Sequence, residues 1–143
     1  MNAEKIKLFL VDDDAVFLKS LEIEFLHHAD FIIETYATGE LCLDNLSHNP
    51  DVIILDYFLN GIDKDAINGM QTLDKIKAYN QDIAVVMLSS QDKIEVAVNC
   101  MHHRAFDYVV KSETAFTRLQ KIITTIFQYK KMEKTLNWYM ERM

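Results

Sequence analysis

Four apolar runs along the chain each end in side chains that can bind a metal ion or react with a phosphoryl group. The groups at these ends are Asp12 and Asp13, Asp56, Ser89, and Lys111. Carboxylates brought together repel and raise one another's pKa unless a cation lies among them. Oxygen-only ligands select a hard ion, which predicts Mg²⁺, with Mn²⁺ as a substitute. A carboxylate beside Mg²⁺ and a lysine ammonium is also suited to accept a phosphoryl group.

These groups meet only if the apolar runs are parallel strands of one sheet. The predicted strands are β1 (7–11), β2 (31–36), β3 (52–56), β4 (83–88) and β5 (106–110). The stretches between and after them predict the helices α1 (15–28), α2 (39–46), α3 (70–77), α4 (92–103) and α5 (112–143). Each crossover has βαβ length, which predicts an α/β fold with a parallel sheet covered on both faces. Ligands of such sheets bind beyond the carboxyl ends of the strands, which is where the polar side chains lie.

The composition agrees with one compact domain. The chain has 143 residues, and its 3 Gly and 1 Pro are too few for a sandwich, a barrel or a disordered linker. Its 2 cysteines, Cys42 and Cys100, do not form a disulfide framework. The apolar runs stay far below the roughly 20 residues that cross a bilayer, and the start has no signal-peptide pattern. A soluble, cytoplasmic protein without membrane contact is expected.

Charge is divided unevenly along the chain. The net charge is −7, but residues 118–143 carry six basic and two acidic side chains, which leaves 1–117 at nine basic against 20 acidic. An acidic body disfavours direct contact with nucleic acid and suits a cation or a basic partner.

The motifs at the strand ends resemble those of the receiver domains of two-component response regulators. They are Val11-Asp12-Asp13-Asp14, Asp56 after an apolar run, Leu88-Ser89-Ser90, and Asp107-Tyr108-Val109-Val110-Lys111. The resemblance covers about residues 5 to 130. It implies a flavodoxin-like, doubly wound five-stranded sheet of order 2-1-3-4-5 with five helices. It also divides the chain into a receiver domain at 1–130 and an extension of the last helix at 131–143.

The resemblance implies a metal site and a phosphorylation site that share one residue. Asp56 would be the phosphoacceptor. Asp13 and Asp56 would hold Mg²⁺ directly, Asp12 through water, and the backbone carbonyl of Phe58 would complete the protein ligands.

Three further residues would respond to the phosphoryl group. The resemblance implies that Lys111 pairs with it and that Ser89 turns its hydroxyl onto one of its oxygens. Tyr108 would then move inward and remodel the face formed by α4, β5 and α5.

The chain departs from the family pattern at two places. Receivers usually have Met or Leu followed by Pro shortly after the phosphorylated Asp, and a Gly about eight residues on. Here Gly69 lies thirteen residues after Asp56, which predicts an insertion around Gly61–Ala66. Lys111 is followed by Ser112, where the family usually has Pro after a cis peptide bond.

Phe58 lies two residues past the proposed phosphoacceptor, at a position that flanks the approach of hydrolytic water in this family. A phenyl ring cannot orient that water by hydrogen bonding. Slow self-dephosphorylation is therefore expected.

The implied function is a stand-alone switch rather than an enzyme acting on other substrates. The phosphodonor would be a sensor histidine kinase or a histidine phosphotransfer protein. The output would be a protein partner, a phosphorelay, or a homodimer formed through the α4-β5-α5 face or the C-terminal helix. A degenerate receiver that binds partners without phosphate is the main alternative. A phosphatase is disfavoured because Phe58 replaces its second Asp, and a nucleotide module because no phosphate-binding Gly loop is present.

The end of the chain leaves three interpretations open. Ser112 can cap a last helix, and the apolar residues after it fall near heptad spacing, interrupted by Glu133. This segment is a helical pairing segment, a lead into a missing domain, or a frayed terminus with Trp138 and Tyr139 lying on the body.

Overall fold

A computed structural model describes residues 5–28 and 30–143 and contains one five-stranded parallel sheet of order β2-β1-β3-β4-β5. The strands are β1 Ile6–Val11, β2 Phe31–Tyr36, β3 Val52–Asp56, β4 Ala84–Ser89 and β5 Asp107–Val110. The helices are α1 Ala15–His27, α2 Gly39–Asp44, α3 Gly69–Tyr79, α4 Ile94–His102 and α5 Ala115–Met140, with a 3-10 turn at Leu46–His48. The predicted fold class and strand order are confirmed.

The sheet separates two apolar cores. Along β1, Leu8 and Leu10 face the core shared with α1 and α5, whereas Phe9 and Val11 face the core shared with α2 and α3. β3 and β4 are buried along their whole length, as expected for central strands covered on both faces. Because the strands are all parallel, the residues that end them lie at one edge of the sheet.

Asp14 is the N-cap of α1. Its Oδ1 accepts hydrogen bonds from the backbone N–H groups of Val16 and Phe17, both at 3.1 Å. Such a cap satisfies donors that have no partner inside the helix. It also fixes where the chain turns away from the carboxyl end of β1.

The side of α4 with the most regular apolar spacing faces solvent. Ile94, Val98 and Met101 are 76%, 47% and 47% exposed, while the helix packs on the sheet through Cys100 and Val96. Apolar spacing marks one face of a helix but does not say whether that face covers the sheet.

α5 begins later than predicted and continues far past the body. Ser112 does not cap it: the residue before the helix is Thr114, and Ser112 Oγ instead bonds Thr114 Oγ1 at 3.2 Å. The 26 residues of the helix span about 39 Å. Its last buried side chain is Ile126, and every residue from 131 onward is exposed.

The aromatic residues at the end of α5 do not support a frayed terminus. The helix continues to Met140, and Trp138 and Tyr139 are 49% and 59% exposed. Their rings contact each other edge to face. Within the described residues, no helix has the length and hydropathy needed to cross a membrane.

Candidate metal and phosphoryl site

The carboxyl ends of β1 and β3 bring three carboxylates together. Asp12 and Asp13 follow β1 directly, and Asp56 ends β3, which pairs with β1 in parallel. Ligand oxygens from the three side chains lie within 4.8 Å of one another. Asp12 and Asp56 are buried and Asp13 is half-buried. Water therefore screens these charges poorly.

Lys111 supplies a cation beside this cluster. Its Nζ lies 2.8 Å from Oδ2 of Asp12 and 3.4 Å from Oδ1 of Asp56. Its backbone N–H donates to the carbonyl of Ser89 at 2.7 Å, so pairing between β4 and β5 holds the lysine at the edge. The ammonium also lies 4.6 Å from the centroid of the Phe17 ring, a cation-π contact. The sequence carried no signal for Phe17.

The single positive charge of Lys111 does not balance the negative charge of the carboxylates that it faces. Burial, and next the charge of Asp12, raise the pKa of Asp56 to about 8, although Lys111 and the N–H of Phe58 act in the opposite direction. Burial lowers the pKa of Lys111, but its contacts with Asp12 and Asp56 outweigh burial and the net shift is upward. The site therefore lacks positive charge.

The donor set fits a hard divalent cation. The acidic cluster offers oxygen ligands only, and a divalent ion would supply the missing positive charge. Phe58 follows the cluster in the β3–α3 loop, and its N–H donates to Oδ1 of Asp56 at 3.4 Å. This bond holds the Phe58 backbone beside the carboxylates.

Asp13 has partners that sequence reasoning missed. Its Oδ2 accepts hydrogen bonds from the backbone N–H groups of Gly61 at 3.1 Å and Ile62 at 3.3 Å. Both donors lie in the predicted insertion. Every residue except proline carries a backbone N–H group, so residue types alone did not identify these donors.

Gly69 lies against the phosphoacceptor candidate at the start of α3. A Cβ atom there would lie 2.4 Å from the backbone oxygen of Asp56 and 2.7 Å from that of Tyr57. The N–H of Gly69 donates to the Tyr57 carbonyl at 3.1 Å. The longer loop thus returns to the position where a glycine permits close approach to the end of β3.

Ser89 and Tyr108 are linked through the β4–α4 loop. Ser89 is fully buried, and its Oγ accepts from the N–H of Gln91 at 3.1 Å. The Tyr108 hydroxyl donates to the carbonyl of Gln91. Burial is the main cause that raises the pKa of Tyr108. Ser89 thus contacts the backbone N–H of Gln91, and Tyr108 contacts the backbone carbonyl of the same residue.

The peptide bond between Lys111 and Ser112 is trans, as are the other peptide bonds of the described residues. Lys111 nevertheless reaches both Asp12 and Asp56. The structure therefore brings together four of the predicted site residues: Asp12, Asp13 and Asp56, whose oxygens could share one ion, and Lys111, which contacts two of them. The side chain of Phe58 lies at the rim of the site and is 40% exposed.

Comparison with known proteins identifies a family. The model of the response regulator receiver domain matches residues 8–124. The chain is 35% identical over 118 residues to a protein-glutamate methylesterase/protein-glutamine glutaminase of Clostridium acetobutylicum, a match that covers 79% of this chain and 32% of the relative. It is 30% identical over 106 residues to transcriptional regulatory protein PrrA of Mycobacterium tuberculosis, covering 73% of this chain and 43% of the relative. The chain thus spans less than half the length of these relatives.

Solved structures share the fold. The receiver domain of the Francisella response regulator 1452 superimposes with a TM-score of 0.75 at 20% identity, covering 88% of this chain and 99% of that one. A CheX-CheY-BeF3-Mg²⁺ complex from Borrelia burgdorferi gives a TM-score of 0.75 at 23% identity, covering 87% of this chain and 90% of that one. Because the family model spans more than half of the chain and the sheet has the same architecture, the chain belongs to the response regulator receiver domain family.

Proposed function

We propose that the chain is a phosphorylation-dependent switch in which Asp56 accepts the phosphoryl group. The observation that carries this proposal is the position of the Asp56 carboxylate, which is buried, within 3.4 Å of the Lys111 ammonium and beside two further carboxylates. A buried carboxylate beside a lysine and further carboxylates is suited to bind a metal ion and to accept a dianionic phosphoryl group. The receiver family membership supports the same assignment.

The transfer step uses one oxygen of Asp56 as the nucleophile. That oxygen attacks phosphorus and a P–O bond forms while the P–N bond of a donor phosphohistidine breaks. The other ring nitrogen of the donor is already protonated, so the side chain leaves as neutral imidazole. Lys111 pairs with an oxygen of the transferred group. Bound Mg²⁺, held by Asp13 and Asp56 directly, by Asp12 through water and by the Phe58 carbonyl, would neutralise charge on the phosphoryl oxygens.

Ser89 and Tyr108 transmit the change in this proposal. The Ser89 hydroxyl turns toward a phosphoryl oxygen, which removes the acceptor of the Gln91 N–H. The β4–α4 loop then moves, and the Tyr108 hydroxyl, which is bonded to the carbonyl of Gln91, moves with it. The ring occupies the vacated space and the α4-β5-α5 face is remodelled.

The α4-β5-α5 face is the proposed output surface. The exposed apolar row on α4 formed by Ile94, Val98 and Met101 supports this choice, because such rows mark protein-contact sites more often than scattered apolar residues do. The output partner is a protein in this proposal. The donor is a sensor histidine kinase or a histidine phosphotransfer protein in the cytoplasm.

The C-terminal extension is a second candidate contact surface. We propose a receiver domain at 1–130 and an extension at 131–143, because Ile126 is the last buried side chain of α5. Tyr129, Met132, Leu136 and Tyr139 are 59% to 70% exposed and recur at intervals of three and four residues. This spacing suits pairing of the helix with a second copy of the chain.

Intact-mass measurement during incubation with acetyl phosphate tests the proposal. The wild-type chain is expected to gain the mass of one phosphoryl group in the presence of Mg²⁺ and to gain none with EDTA. Asp56→Asn should gain none in either condition. A gain of the same size in Asp56→Asn would refute the assignment, and a folded wild type that gains nothing and binds no Mg²⁺ would favour the phosphate-independent interaction module.

A further inference from the structure

The inserted part of the β3–α3 loop makes a specific contact with the acidic cluster. Gly61 and Ile62 direct consecutive backbone N–H groups to a single oxygen, Oδ2 of Asp13, at 3.1 and 3.3 Å. A carboxylate oxygen that accepts two backbone N–H donors is held in a fixed position. The other oxygen, Oδ1, is left for a metal ion.

The loop is ordered by bonds of its own. The Ala66 N–H donates to the carbonyl of Asp63 at 3.1 Å, which closes a turn, and the Asp65 N–H donates to the Asp63 side chain at 3.0 Å. Farther along, the Ile67 N–H donates to Oε2 of Glu40 at 3.1 Å. Ala66 is buried. The two donors that meet Asp13 are therefore presented by a fixed segment.

Residue type at the contact is matched to this role. A Cβ atom at position 61 would lie 3.3 Å from Oδ2 of Asp13, closer than an ordinary van der Waals contact. The Ile62 side chain is 78% exposed, so it is the backbone of Ile62, not its side chain, that faces the site. Glycine at 61 lets the backbone approach the carboxylate.

We infer that the Gly61–Ile62 segment is a positioning element for metal binding: its two N–H groups orient the Asp13 carboxylate so that the ion binds a preorganised ligand. This inference rests on the proposed function, in which Asp13 is a direct ligand of Mg²⁺. Groups that hydrogen-bond a metal ligand commonly change metal affinity by about 10- to 100-fold when removed. The insertion thereby strengthens the metal site instead of only lengthening the loop.

Calorimetric titration of Mg²⁺ into the full chain tests the inference with a matched pair of proline variants. Ile62→Pro removes one of the two donors, and the preceding glycine tolerates the backbone restriction that proline imposes. Lys64→Pro is the control, because Lys64 is the second residue of the turn closed by Asp63 and Ala66, a position that favours proline. The dissociation constant for Mg²⁺ should rise about tenfold in Ile62→Pro and stay at the wild-type value in Lys64→Pro.

A second variant keeps the test decisive if Ile62→Pro lowers the melting temperature of the metal-free chain. Gly61→Ala retains both N–H groups but places a methyl group against Oδ2 of Asp13, and it should weaken Mg²⁺ binding while leaving the metal-free melting temperature unchanged. Mg²⁺ affinity equal to that of the wild type in both variants would overturn the inference. Tighter binding in both would also overturn it, because it would show that the loop N–H groups compete with the ion for the Asp13 carboxylate. A wild type that binds no Mg²⁺ would overturn the proposed metal site and the inference with it, whereas wild-type binding with unchanged variants overturns the inference alone.

Discussion

Lys111 Nζ lies 2.8 Å from Oδ2 of Asp12, a carboxylate that is only 3% exposed. The same ammonium reaches Oδ1 of Asp56 at 3.4 Å. The charge cluster at the carboxyl end of the sheet thus depends on one lysine in the absence of a metal ion. Its removal leaves two buried carboxylates facing each other.

Lys111→Met is expected to destabilise the metal-free chain. Breaking a buried ion pair by removing one partner costs about 3 to 5 kcal/mol, because the remaining charge is uncompensated. Proton uptake by the carboxylates offsets part of this cost. Urea unfolding in EDTA measures it, with the exposed Lys75→Met as the control. Equal free energies of unfolding for the two variants would contradict the account.

The predicted and the unpredicted parts of this site differ in what the residue types reveal. Asp12, Asp56 and Lys111 could be predicted because an apolar strand that ends abruptly in a charged residue indicates both the strand and its end. The donors to Asp13 could not, because Gly61 and Ile62 act through backbone N–H groups that any residue but proline carries.

Helix packing shows the same limit. The helix predicted at 92–103 is confirmed, but the face that carries Ile94, Val98 and Met101 lies in solvent and α4 packs through Cys100. The predicted continuation of α5 toward the end of the chain is confirmed as far as Met140, but the sequence did not show that Ile126 is the last buried position. Apolar spacing identifies one face of a helix but does not show whether that face packs on the protein or lies in solvent.

Asp56→Asn is expected to stabilise the metal-free chain at neutral pH, by about 4 kcal/mol. The pKa of Asp56 is raised to about 8 in the folded state, above an ordinary carboxylate value of about 4. The folded chain binds this proton more tightly than the unfolded chain does. Its contribution to the free energy of unfolding is therefore fully present below about pH 4 and is lost as pH rises through about 8. The advantage of Asp56→Asn should shrink toward zero as the pH falls to about 4.

Mg²⁺ should reverse this ranking. In the proposed function the ion binds the folded site and not the unfolded chain, so it should raise the melting temperature of the wild type and raise that of Asp56→Asn less. Thermal unfolding of both proteins with EDTA and with Mg²⁺ provides the comparison. An equal Mg²⁺-induced shift in the two proteins would place the ion elsewhere.

Gly69→Ala is expected to destabilise the fold by about 1 to 3 kcal/mol, the usual cost of overpacking. The added Cβ would lie 2.4 Å from the backbone oxygen of Asp56, and backbone cannot move aside cheaply. This loss should occur although alanine has the higher helix propensity. Gly61→Ala, which meets only a side-chain oxygen at 3.3 Å, is the control in urea unfolding. A stabilised Gly69→Ala would show that α3 can shift away from β3.

Phe58→Asn is expected to speed loss of the phosphoryl group, because an amide can orient water by hydrogen bonding where a phenyl ring cannot. The Phe58 ring is 40% exposed at the rim of the site, so the substitution should leave the core intact. The decay of phosphorylated protein after removal of the donor measures the rate. Faster loss in the wild type than in Phe58→Asn would contradict the expectation.

Self-association through α5 is expected to depend on Leu136. Leu136→Ser should lower the dimer fraction in sedimentation velocity, because Leu136 is central in the exposed apolar row and 59% exposed. Lys134→Ser, two positions earlier and on the opposite side of the helix, is the matched control. A concentration-independent monomer for the wild-type chain would exclude this surface as a pairing site.

Chemical identification of the phosphorylated residue tests the central claim most directly. Borohydride reduces an aspartyl phosphate to homoserine, so treatment of the chain after incubation with acetyl phosphate and Mg²⁺ marks the acceptor permanently. Peptide sequencing by mass spectrometry should find homoserine at position 56 and aspartate at positions 12 and 13. Homoserine at position 12 or 13, with unmodified Asp56, would contradict the account.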